Sequence, residues 1–184
     1  MTQPSADSPP ISIRRGTPAD AAALAAFAAR TFEETFGADN DPGDLAAYLS
    51  ASYGAPQQEA ELRDPGAITL LAEAGGVLAG YAQLRHIPPP AGVMGRHPVE
   101  IQRFYVDSPF HGRGLARQLM AEMMAAACEM GGDVLWLQVW ERNPRGIAFY
   151  EKCGFADVGS TTFVVGSDVQ SDRVMTLPLA DGQG

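Results

Sequence analysis

Apolar positions in this chain change period several times, and each change marks an element. Ile11 to Arg14 alternates as a short strand. Thr17, Pro18 and Asp20 then supply an N-cap, a first-turn proline and an acid at the third helical position, which predicts a helix through the alanine-rich run to about Arg30. From Thr31 to Asp64 the aromatics Phe32, Phe36, Tyr48 and Tyr53 stand among turn formers such as Asp41, Pro42 and Gly43. That stretch predicts one or two short helices, one around Asp44 to Ser52. Ile68 to Glu73 and Val77 to Arg85 are apolar runs separated by Ala74, Gly75 and Gly76, the spacing of an antiparallel hairpin.

A proline-rich excursion, Pro88 to Pro98, returns the chain to Val99, and Glu100 to Val106 alternates into a third long strand. After Asp107, Ser108 and Pro109, a helix is predicted from Gly114 to Met130, with Leu115, Leu119, Met123, Ala127 and Met130 on one face and Gly131 and Gly132 as its stop. Val134 to Trp140 is almost continuously apolar, as in a strand buried on both faces. Asn143 and Pro144 form an N-cap and first-turn pair for a helix over Gly146 to Lys152, closed by Gly154. Phe155 to Val165 and Arg173 to Leu179 are predicted as the last two strands. Helices early, a hairpin, then strand, helix, strand, helix and two strands describe an α/β chain with a mixed sheet flanked by helices.

With 184 residues, one domain over residues 11–180 is expected, with a flexible lead at 1–10 and a loose tail at 181–184. Hydrophobic residues at 46% against 19% charged are enough to bury a core. The formal charge of -9 argues against nucleic acid or an anionic membrane surface as partner, because both recruit clustered cations. Met1 to Pro10 resembles neither a secretory signal nor a membrane anchor, so the expected location is the cytoplasm. Cys128 and Cys153 lack C-x-x-C spacing and are expected as buried, reduced, inert thiols. His86, His97 and His111 do not share metal-ligand spacing, so no metal is expected.

The segment Phe110-His111-Gly112-Arg113-Gly114-Leu115-Ala116 joins a strand to an amphipathic helix. Two glycines one residue apart allow close backbone approach, and the amides at a helix start suit an anion such as pyrophosphate. A P-loop is excluded because neither its spacing nor its lysine is present. In a dinucleotide fingerprint Gly112 and Gly114 would take the first two positions, but Arg117 occupies the third.

Residues His111 to Ala116 do resemble the acyl-coenzyme A cradle of the GNAT superfamily of N-acetyltransferases, Gln/Arg-x-x-Gly-x-Gly/Ala, with His111 in place of Gln or Arg. The approach strand Arg103-Phe104-Tyr105-Val106 resembles the strand that precedes that cradle. Asn143 through Phe155 resembles the second cofactor motif, Asn-x-x-Ala-x-x-Phe-Tyr-x-x-x-Gly-Phe, with Gly146 for the usual Ala. The spacing of Thr31-Phe32, Thr35-Phe36, Asn40 and Tyr48-Leu49, the Trp136 to Asn143 stretch, and Phe163 with Gly166, Gln170, Asp172 and Met175 are similar to bacterial spermidine/spermine N-acetyltransferases of the PaiA type. The similarity covers roughly residues 11–179 and is looser over the proline-rich loop at 87–98.

The resemblance implies a GNAT fold, a mixed and mostly antiparallel seven-stranded sheet with about four helices. It also implies acetyl-CoA as cosubstrate and direct attack by an amine, and it leaves a homodimer open. Tyr150 would be the general acid for the departing thiolate, since a phenol can donate a proton. Backbone amides of Phe104, Tyr105 and Val106 would hold the pantetheine arm and polarise the acetyl carbonyl. Arg113 is either a phosphate contact or a solvated helix-start arginine, and Asn143 is either an N-cap alone or also a polar contact to the cofactor. Glu100, Glu141 and Glu33 are the candidate bases, and with Phe36 they are the expected acceptor contacts.

Residues 31–64 carry eight carboxylates, Glu33 and Glu34 among them, against Arg63 alone. In the GNAT fold the early helices border the acceptor side, so this acidic segment is expected to steer a cation such as a polyamine. Two alternatives stay open: a protein N-terminal or lysine acetyltransferase, and a non-catalytic regulator that binds acetyl-CoA.

Overall fold

A computed structural model describes residues 9–165 and 168–179; the side chains of 165 and 168 are outside that description. Gly166, most of the expected lead and the whole expected tail lie outside the described residues. Seven strands form one sheet: β1 Ile11–Arg15, β2 Ala67–Ala74, β3 Val77–Arg85, β4 Pro98–Val106, β5 Val134–Trp140, β6 Ala156–Val165 and β7 Asp168–Pro178. Their spatial order is β1-β2-β3-β4-β5-β7-β6. The pairs are antiparallel except β4 with β5, so the sheet is two antiparallel halves joined through one parallel pair.

The β2–β3 hairpin closes on Gly75 and Gly76 at φ 60° and 80°, the left-handed pair that a two-residue turn requires. Among the described residues five α-helices cover the faces: α1 Ala21–Phe36, α2 Pro42–Tyr53, α3 Ala55–Arg63, α4 Leu115–Glu129 and α5 Pro144–Lys152. Thr17 N–H donates to the Asp20 carboxylate at 2.8 Å, the cap expected before α1. α1 runs a turn and a half past the expected end at Arg30. Thr31 and Thr35 hydroxyls donate back to the carbonyls of Phe27 and Thr31, which satisfies polar side chains within a continuing helix.

Two cores result. On one face, α4 buries Leu115, Leu119 and Met123 completely against sheet residues such as Leu84, Val99, Ile101 and Leu137. Each such side chain contributes about 1.5–3 kcal/mol. On the other face, α1 and α2 pack Leu24, Phe27, Phe32 and Leu45 against Leu71 and Tyr81. Cys153 is half-buried as a C-cap, but Cys128 is exposed on the outer face of α4, contrary to the buried position expected of it.

The proline-rich segment is fixed to its surroundings. Asp133 accepts from the backbone N–H groups of Arg96 and His97 at 2.6 and 2.9 Å, and Gly92, at φ 96°, leaves no room for a side chain beside the Val158 carbonyl.

Candidate active site

The site begins where β4 and β5 part. They pair at Pro98, Val99 and Glu100 opposite Val134, Leu135 and Trp136, and no further. Beyond Glu100, β4 keeps only β3 as a partner, with Arg103 opposite Gln83 and Ile101 opposite Leu84, so Gln102 is the extra residue of a bulge. The bulge turns the strand away from β5. The edge from Ile101 to Val106 thereby gains free backbone groups inside a cleft.

β4 runs into the cradle through Asp107, whose carboxylate caps Ser108 and pairs with Arg30 of α1 at 2.9 Å. Gly112 and Gly114 follow at φ 74° and 84°, and a side chain built on either would meet nothing within 4 Å. Backbone sign, not crowding by other protein, requires glycine there, and the space over both is open for a ligand. Gly114 is the N-cap of α4, so the unpaired amides of that helix face the opening. His111 Nε2 lies 2.6 Å from the Val106 carbonyl and braces the turn. A cavity of about 710 Å³ runs over Val106, His111, Gly112, Gly114 and Ala116 to Tyr150 on α5.

α5 is positioned by its cap: the Asn143 side-chain oxygen accepts from Gly146 N–H at 2.9 Å. A Cβ on Gly146 would come within 2.8 Å of Asn143 Nδ2, so this chain's glycine accommodates a carboxamide folded over the helix start. Two turns on, the Tyr150 ring stands edge-on to Phe104 of β4, centroids 6.2 Å apart. Burial pushes its phenol well above the ordinary value, so it is protonated at neutral pH and available as a donor.

A second cavity of about 360 Å³ opens on the α1–α2 side. Phe36, Tyr48, Trp140 and Phe163 form aromatic walls, and Glu100 and Asp172 supply carboxylates. Glu100 is 6% exposed and Asp172 7%, and among the described residues Glu100 Oε2 and Asp172 Oδ1 have no hydrogen-bond partner. Burial pushes Glu100 up to about 7, and burial together with the nearby charge of Glu141 pushes Asp172 up to about 6. Phe104, Tyr105, Asn143 and Tyr150 line both cavities, which therefore meet at the tyrosine.

Of the expected residues, Phe104, Tyr105, Val106, His111, Gly112, Gly114, Ala116, Asn143 and Tyr150 line the larger cavity. Phe36 and Glu100 line the smaller one. Leu115 does not present its side chain to either cavity. It is fully buried under the sheet, because it starts the apolar stripe of α4. Arg113 is exposed outside both cavities, whereas Arg117 and Arg145 line the larger one. Glu33 is exposed on the outer side of α1 and borders neither cavity, and Glu141 is exposed and reaches the site only through its charge on Asp172.

The expected acidic acceptor wall is also corrected. None of the eight carboxylates in 31–64 lines the smaller cavity. Several are neutralised instead: Glu61 by Arg103 at 2.5 Å, Glu59 by Arg63 and Asp64 by Arg85, each at 2.8 Å. Asp172 was not among the expected site residues. Its signal was parity: in a strand that begins before Arg173 it shares a face with the buried Val174 and Thr176, and a carboxylate there is seldom idle.

Residues 28–155 match the Acetyltransferase (GNAT) family. The chain is 32% identical over 154 residues to the uncharacterized N-acetyltransferase in the pepI 3' region of Lactobacillus delbrueckii subsp. lactis, covering 84% of this chain and 89% of that protein. It is 31% identical over 157 residues to N-alpha-acetyltransferase RimI of Mycobacterium tuberculosis, 84% of each chain. Its fold matches the crystal structure of the PaiA N-acetyltransferase from Thermoplasma acidophilum in complex with coenzyme A with a TM-score of 0.71, over 92% of this chain and 99% of that one at 18% identity. The open left-handed glycines before α4, the free edge of β4 and the Tyr150 phenol suit an acyl-coenzyme A thioester, and the chain belongs to the GNAT family of acetyltransferases, whose acetyl donor is acetyl-CoA.

Proposed function

We propose that the chain acetylates a primary amine of a small cationic molecule, a polyamine first among them. The observation that carries this reading is Glu100: a buried carboxylate whose Oε2 has no hydrogen-bond partner among the described residues, in an aromatic cavity that meets the larger cavity at Tyr150. Acetyl-CoA bound along the larger cavity supplies the thioester. Glu100 takes a proton from the entering ammonium, a task suited to a base near pH 7. As the new N–C bond forms and the C–S bond breaks, free N–H groups on the β4 edge stabilise charge on the carbonyl oxygen, and Tyr150 gives its phenolic proton to the sulfur.

The aromatic walls favour a cation over a neutral polar acceptor. The identity with RimI favours a second reading, acetylation of a protein N-terminus. Initial rates with acetyl-CoA and either spermidine, spermine or a peptide bearing a free amino terminus separate the two. Turnover of the polyamines is expected; turnover of the peptide alone would overturn the small-amine reading and leave the family assignment standing.

A further inference from the structure

We propose that Asp172 is a second cation-binding group, so that the enzyme selects acceptors with two cationic centres, one reacting beside Glu100 and the other held by Asp172. The inference rests on the small-amine reading and adds a determinant of specificity to it.

The two carboxylates lie at different ends of the same cavity. Glu100 on β4 is level with Trp136 of β5, and Asp172 on β7 is level with Trp140. Four residues of strand separate those levels, about 13 Å, and β4 and β7 flank β5 on opposite sides, roughly 10 Å apart. With both side chains leaning into the cavity, an occupant that reaches both needs cationic centres on the order of 10 Å apart.

The Asp172 end is built for a cation. Tyr48 and Phe163 stand edge-on with centroids 5.9 Å apart, Phe36 and Trp140 likewise at 5.8 Å, and all four line the cavity with Asp172. The charge of Asp172 reaches the Tyr48 phenol across this space, and Glu141 adds a second negative charge from outside. An apolar occupant would leave Asp172 Oδ1 desolvated and unpaired. A neutral donor could satisfy that oxygen but would gain little from the rings or from Glu141, whereas an ammonium gains from all three.

The test measures kcat/KM of the full chain for α,ω-diaminoalkanes of three to ten carbons and for the n-alkylamines of equal length. The expected result is a diamine advantage of roughly tenfold or more that emerges only in the longer members. Asp172→Asn should bring the diamine-to-monoamine ratio to within about twofold of one, and a ratio cancels any loss of folded enzyme. Asp172→Glu should keep the advantage and move the best length down by about one carbon. Monoamine turnover without a diamine advantage, or an advantage that survives in Asp172→Asn, overturns this inference and leaves the small-amine reading intact. If no amine turns over while a peptide does, the reading itself fails and the inference falls with it.

Discussion

The His111 imidazole is hydrogen-bonded to the Val106 carbonyl, Nε2 to oxygen at 2.6 Å, which ties the last residue of β4 to the first residue of the cradle. A carbonyl only accepts, so Nε2 carries the hydrogen. Losing a bond of this kind is worth about 0.5–1.5 kcal/mol. His111→Ala is therefore expected to raise KM for acetyl-CoA by roughly 2- to 10-fold with kcat nearly constant, and His111→Gln, which restores a donor, should recover most of the difference. Equal KM values in wild type and His111→Ala would remove the bracing role.

Tyr150 joins the two cavities and has a phenol that stays protonated at neutral pH. Tyr150→Phe should lower kcat by roughly 10- to 10,000-fold, the range for a lost general acid, while calorimetric titration shows nearly unchanged acetyl-CoA affinity. An unchanged rate would mean that the sulfur is protonated by another donor.

Gly114, at φ 84° and with open space above it, separates backbone strain from ligand contact. Gly114→Ala should destabilise the fold by about 1–2 kcal/mol through its left-handed conformation. Gly114→Glu adds a carboxylate where an anion is expected and should abolish acetyl-CoA binding, read by quenching of intrinsic fluorescence or by calorimetry. Normal affinity in Gly114→Glu would displace the phosphates from this loop.

Glu100 makes two linked predictions about pH. Burial holds its carboxyl at about 7 against an ordinary 4.5, so below pH 7 it is mostly protonated and cannot accept a proton. kcat should climb through pH 7, and Glu100→Gln should lose that limb along with most of the activity. For folding the sign is opposite: the native state keeps a proton that the unfolded chain releases between pH 4.5 and 7, so this group's contribution to stability falls as pH rises through that window. Glu100→Gln should thus be more stable than wild type by about 1–3 kcal/mol at pH 8, and equal to it near pH 4, by urea denaturation. A variant less stable than wild type at pH 8 would show that the carboxylate has a partner when ionised.

Elements set by local patterning were legible in the chain. The Gly75-Gly76 hairpin, the α4 stripe from Leu115 to Ala127, the Asn143 cap and the cradle glycines each depend on residues close in sequence, and each has the predicted form. The start of β7 was not legible, because Gln170, Ser171 and Asp172 are polar and extended only through pairing with β6 and, at Ser171 and Asp172, with the β5 end. Counting charges over 31–64 misled for the same reason. Glu61 finds Arg103 across 42 positions and Asp64 finds Arg85 across 21, so formal charge along the chain does not describe the field in the cavity.

By itself, the sequence determined the left-handed glycines before α4, the Asn143 cap and the place of Tyr150 on α5, since backbone sign, helix caps and helical period are local consequences of residue type. Its motifs carried the resemblance to the family. Only the tertiary structure decided which carboxylates line the smaller cavity. Burial where separate strands converge lifts Glu100 and Asp172 toward neutral pH, whereas Glu33 and Glu141 lie exposed at the surface, and no single stretch of chain carries that difference.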